Sequence, residues 1–109
     1  MKNSFDEKIL DEAKDWLLSK QKVVIATVIE TWGSSPRQIG SRMIVNDKGD
    51  FSGSVSGGCV ESAVVKECLT LIKEKKIFKK IEFKVSNQSA WEVGLACGGE
   101  LAIFLEQIN

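Results

Sequence analysis

The sequence predicts an α/β (or α+β) fold, a small mixed β-sheet packed with two main helices in a single domain over residues 1–109. Three observations predict it. The chain of 109 residues is close to the commonest domain size and too short for two full domains. A hydrophobic fraction of 43% beside a charged fraction of 28% is that of a globular chain with one core, which excludes bulk disorder. The spacing of apolar residues also changes along the chain, in the order helix, strand, loop, hairpin, helix, strand, loop, strand.

Residues 4–20 read as an amphipathic helix, with Phe5, Ile9, Leu10, Ala13, Trp16 and Leu17 on one face. Ser4 and Glu7 have capping-box spacing, and Lys20 and Lys22 suit the negative end of the helix dipole. Residues 23–30, VVIATVIE, are β-branched and nearly all apolar. They predict a strand buried on both faces in the middle of the sheet. Residues 31–42 hold the single proline, two glycines and three serines and read as a loop. A hairpin follows, with strands 43–46 and 50–55 about the turn Asp47-Lys48-Gly49.

The run SGGCVE at 56–61 opens onto a second helix of about residues 60–75. Its inward stripe is Ala63, Val64, Glu67-Cys68, Leu71 and Ile72, and its last turn is basic. Residues 79–86 alternate, with Ile81, Phe83 and Val85 on one side and Lys80, Glu82 and Lys84 on the other, as in a half-exposed strand. Residues 87–99 are irregular, and 100–106 close the chain as a strand.

Composition narrows the chemistry. Fifteen basic and fifteen acidic side chains cancel, so a general electrostatic grip on nucleic acid is not expected. No apolar run approaches the roughly 20 residues of a bilayer span, and the acidic N-terminus resembles neither a signal nor a transit peptide. A cytoplasmic location is the expectation. Histidine and tyrosine are absent, which removes the commonest general base and the commonest metal ligand. Three cysteines, an odd number, read as free thiols. There is no P-loop, no G-x-G-x-x-G and no C-x-x-C.

Three glycine- or arginine-bearing segments remain. Gly57-Gly58-Cys59 lies before a helix start, where unpaired N–H groups favour an anion or a thiolate; it reads equally as a turn followed by a small core cysteine. Arg37 and Arg42 in the loop 31–42 can grip a carboxylate or phosphate, with serines such as Ser35 and loop amides adding hydrogen bonds; the plain alternative is a solvated loop. Cys97-Gly98-Gly99 is either a site or a tight strand approach. Cys68, on the apolar stripe, is read as core. Glu61 is a lone carboxylate and a weak signal. Trp32 and Trp91 are placed in the two loops, as stacking partners or as loop anchors.

Together, ATVIETWGSSPRQIGSRMIV, DKGDFSGSVSGGCVE and LACGGELAIFLE resemble the N-terminal domain of the xanthine dehydrogenase accessory factor family (XdhC/CoxI). The resemblance implies a maturation factor for molybdenum hydroxylases, which binds the molybdenum cofactor (molybdopterin) as cargo and delivers it to a xanthine dehydrogenase-like apoenzyme. It also implies a cysteine desulfurase as co-worker. The cofactor-binding residues so expected are Gly57, Gly58, Cys59, Arg37, Ser35, Arg42, Cys97 and Gly98, with Cys59 nearest the metal or its sulfur and no catalytic residue assigned. Full-length members carry a second, nucleotide-binding-like domain, so the resemblance further implies a separate chain of that kind or a homodimer. Two other readings stand beside delivery: sulfur transfer through a Cys59 persulfide, and a non-catalytic module that docks a molybdoenzyme. The shared-site expectation is that loops 31–42 and 87–99 line one cleft with Cys59 near its surface.

Overall fold

The structure is a computed structural model that describes residues 4–32, 39–55, 60–83 and 100–108, with the backbone alone for residues 4–7 and Trp32. In chain order the elements are α1 (Ser4–Leu18), β1 (Val23–Trp32), β2 (Arg42–Asn46), β3 (Phe51–Gly53), α2 (Glu61–Lys73), β4 (Phe78–Phe83) and β5 (Glu100–Ile108). The strands form one sheet in the order β3-β2-β1-β5-β4. Every pairing among these strands is antiparallel. The single sheet with two helices is as expected, but it is antiparallel rather than mixed, the α+β form of the reading, and β1 is the central strand its apolar sequence predicts.

The alternation of side chains sorts the sheet into two faces. Val24, Ala26 and Val28 of β1, Met43 and Val45 of β2, and Leu101, Ile103 and Leu105 of β5 point to one face, where α2 adds Val64, Cys68 and Leu71. All eleven are buried to within about a percent of complete. On the opposite face Val23 and Ile44 meet Ile9 and Ala13 of α1, with Trp16, Leu17, Ile25 and Ile108 packed around them. The helices thus lie on opposite sides of the sheet, and the face beside β4 keeps Phe78 and Lys80 exposed.

Several boundaries differ from the sequence reading. β1 runs on to Trp32, because an extra residue between Val28 and Glu30 lets Thr31 and Trp32 pair with Leu101 and Glu100 of β5. Residues 31 and 32 are therefore strand rather than loop. Arg42 is likewise the first residue of β2, paired with Thr27. The return strand stops at Gly53, whose φ of +87° turns the chain away. α1 ends at Leu18, short of the predicted Lys20. Lys20 instead occupies the left-handed position of a Schellman ending, with φ +63°, N–H bonds from Lys20 to Leu17 O at 3.0 Å and from Gln21 to Trp16 O at 3.0 Å. α2 closes in the same way at Lys75, with φ +57° and bonds from Lys75 to Ile72 O and from Lys76 to Leu71 O. The expected Ser4–Glu7 box, residues 84–86 of the predicted fourth strand and Trp91 lie outside what is described.

Candidate functional site at the loop end of the sheet

The sheet has two ends of different character. At one end β1 begins, β2 reaches Asn46 opposite Val23, and β5 finishes at Ile108. The hairpin turn and the C-termini of both helices sit there. At the other end β1 finishes and β5 begins, with Trp32 opposite Glu100 and Phe83 opposite Leu101. Arg42, Gly53 and the start of α2 belong to this second end, called the loop end below.

The flanks of all three motif segments converge on the loop end. Segment 33–38 follows β1, segment 56–59 precedes α2, and segment 84–99 joins β4 to β5. Ser35, Arg37, Gly57, Gly58, Cys59, Cys97 and Gly98 lie within those segments, outside the described residues. Arg42 is the expected site residue that is described.

Arg42 carries an informative feature. Its guanidinium Nε is buried and has no hydrogen-bond partner among the described residues. A buried donor of this kind costs free energy unless an acceptor meets it. Its carbonyl accepts the Ser54 N–H at 3.1 Å, so the residue is fixed to the turn that leads into segment 56–59. Gly53 makes that turn possible. A Cβ there would lie 2.5 Å from the Arg42 carbonyl oxygen and 2.7 Å from Ile9 Cδ1.

Glu61 holds the other side of segment 56–59. This carboxylate, 8% exposed, accepts the Ser54 hydroxyl at 2.8 Å and the Val55 N–H at 3.0 Å. The first residue of α2 is thereby tied to the two residues that leave β3. Nothing in helical spacing signals bonds to residues six and seven positions earlier, so in sequence Glu61 is only a lone acid. Both helices begin at the loop end, so the positive ends of both helix dipoles face it. Val60, before α2, has no side-chain oxygen to cap the first turn. The extra residue of β1 is at this end as well, a place where bulges commonly re-aim side chains beside a site.

Cys68 belongs to the core, as the stripe predicts. It is a free thiol with no exposed surface. Burial, and then the neighbouring Glu67 charge, push its pKa up to about 12. Among the described residues no group of three or more Cys, Asp or Glu side chains is placed to hold a metal. A depression of about 350 Å³ lined by Lys22, Lys75, Lys76, Ile77 and Gln107 lies at the far end, beside the helix C-termini. It is remote from Arg42 and from the flanks of the motif segments, and is formed by lysines that suit those C-termini. No helix among the described residues is long and apolar enough to cross a membrane.

These features define a domain with one antiparallel sheet between two helices, its three motif segments attached at one end of the sheet. The chain belongs to the XdhC and CoxI family, whose model matches residues 16–81. It is 33% identical over 102 residues to the molybdenum cofactor insertion chaperone PaoD of Escherichia coli K12, covering 93% of this chain and 31% of that protein. It is 28% identical to a probable xanthine dehydrogenase subunit from Bacillus subtilis 168, covering 85% of this chain and 28% of that protein. The solved structure of a xanthine dehydrogenase from Bacillus halodurans superposes with a TM-score of 0.74 at 26% identity, over 91% of this chain and 30% of that one. This chain thus spans about a third of the length of these relatives.

Proposed function

We propose that residues 1–109 form one XdhC/CoxI-type unit that binds the molybdenum cofactor at its loop end and passes it to a molybdenum hydroxylase of the xanthine dehydrogenase type. The observation that carries this reading is the buried Arg42 Nε, without a partner among the described residues, at the end where the three motif segments attach. Similarity to a relative named as a molybdenum cofactor insertion chaperone supplies the class of cargo.

The cargo fits the residue types. Molybdopterin presents a phosphate, a flat pterin and a soft dithiolene around molybdenum. In this reading Arg42 and Arg37 take the phosphate or the pterin edge through charge-assisted bonds. Ser35 and the backbone of Gly57, Gly58 and Gly98 add hydrogen bonds at close range. Cys59 and Cys97 offer soft sulfur to the metal or to its transferable sulfur, which is where a cysteine desulfurase would enter. Glu61 acts on the cargo only through the chain, by fixing both ends of the Cys59 segment. Delivery needs release, and hydrogen bonds from backbone and two arginines, together with exchangeable contacts to cysteine sulfur, hold the cargo without a permanent bond.

The test uses anaerobic co-expression with the cofactor biosynthesis enzymes. Wild-type protein is expected to carry oxidisable pterin and molybdenum, and Cys59→Ser to lose most of both while keeping its thermal midpoint. An apo-hydroxylase added to loaded wild type should gain activity. Absence of pterin and metal from the wild-type chain would defeat the reading.

A further inference from the structure

β4 ends the sheet, so one of its edges is unpaired among the described strands. The backbone register shows which residues face outward. The Gln107 N–H bonds to Ile77 O at 2.8 Å, and the pairing continues with Lys79 opposite Leu105 and Ile81 opposite Ile103. In an antiparallel ladder, backbone groups alternate from side to side. Residues 77, 79, 81 and 83 therefore bond to β5, and Phe78, Lys80 and Glu82 present their N–H and C=O groups to the free edge. The side chains of these same three residues are exposed on the sheet face that α1 leaves uncovered.

We infer that this edge pairs with the same edge of a second copy, antiparallel and centred on Ile81. A two-fold axis perpendicular to the sheet keeps each side chain on its own face, so only registers that pair even with even and odd with odd are allowed. Three such registers overlap the strand well. Centring on Lys80 sets Lys80 against Lys80, and centring on Glu82 sets Glu82 against Glu82. Centring on Ile81 sets Lys80 of each copy against Glu82 of the other, twice, with their outward backbone groups exchanging hydrogen bonds. Charge complementarity thus selects one register. Lysines on an edge ordinarily deter pairing; here each is answered by an acid in the copy. The existing Lys80–Glu30 contact, 3.7 Å between half-exposed side chains, is of the weak surface kind and does not compete strongly.

The resulting sheet is continuous across both copies, and the axis points the two loop ends in opposite directions. Each copy then keeps its own site, and neither completes the other's. This inference does not rest on the cofactor reading.

Sedimentation velocity on the full chain, from micromolar to submillimolar concentration, is the test. Wild type is expected to pass from monomer to dimer. Lys80→Glu alone and Glu82→Lys alone each create two like-charge pairs and should weaken self-association roughly tenfold or more. An equimolar mixture of the two variants restores both opposite-charge pairs and should recover the dimer. The double variant K80E/E82K should self-associate like wild type, and it carries the test if either single variant loses its circular-dichroism signature. A wild type that stays monomeric throughout overturns the inference. So does a dimer that neither single variant weakens, or a mixture that fails to recover it.

Discussion

The two ends of the sheet are built by opposite means. The turn end closes on itself. The buried Asn46 side chain accepts the N–H groups of Lys48 at 3.0 Å and Asp50 at 2.9 Å and donates to Gln21 Oε1 at 2.8 Å, while both helices finish in Schellman endings whose carbonyls are satisfied by backbone. The loop end holds its frame through contacts between distant positions: Gly53 against the Arg42 carbonyl and Ile9, Glu61 against Ser54 and Val55. Among the described residues it leaves Arg42 Nε without a partner. In the proposed reading this buried donor, rather than the exposed lysines of the turn end, is the one that meets an anionic ligand.

The sharpest way to break the loop end is Gly53→Ala. The φ of +87° and the 2.5 Å approach to a backbone oxygen leave no room to relax, and a loss of about 3 kcal/mol is expected in urea unfolding. At the turn end, Asn46→Ala strands two hairpin N–H groups and should cost about 2 kcal/mol by the same measurement. It should leave cofactor content per folded molecule unchanged.

Between the ends, Cys68 reports on the core. Its folded pKa of about 12 exceeds the ordinary value of 9.0, so the native state holds a proton that the unfolded state releases. Its contribution is complete below pH 9.0 and is lost as pH rises from there toward about 12, with a slope of at most about 1.4 kcal/mol per pH unit. Unfolding of Cys68→Ala should show a shallower alkaline decline than wild type. The native thiol should also resist alkylation until the chain unfolds. The smallest effects are gains. Lys20→Gly and Lys75→Gly remove side chains from left-handed positions, and each should stabilise by about 0.5–1 kcal/mol.

The turn end is the more legible in sequence because its signals are local. Asp47-Lys48-Gly49 announces the hairpin, and Gly49 does take a positive φ, +86°. Asn46 escapes sequence reading as the organiser, although an Asn before a turn is a recognised signal. Lys20 and Lys75 suggest dipole partners rather than left-handed caps, since no glycine marks either position. Periodicity finds Ile9, Ala13, Trp16 and Leu17 of α1 and Val64, Cys68, Leu71 and Ile72 of α2, but Glu67 of the expected stripe is part-exposed and pairs with Lys79 at 3.1 Å. At the loop end, spacing cannot show that β1 continues to Trp32 or that Arg42 opens β2, because pairing with β5 and β1 decides both. A glycine at the end of a predicted strand is the available sign of the bend at Gly53. Glu61 gives no sign at all, because its partners are set by the tertiary fold.

The most direct test compares the two ends as cofactor sites. Bound pterin and molybdenum should be measured after anaerobic co-expression for Arg42→Gln, Lys75→Ala and Lys76→Ala, each normalised to folded protein. Loss in Arg42→Gln with retention in both lysine variants is the predicted result. Retention in Arg42→Gln with loss in the lysine variants would place the cargo at the basic depression of the turn end and contradict the account.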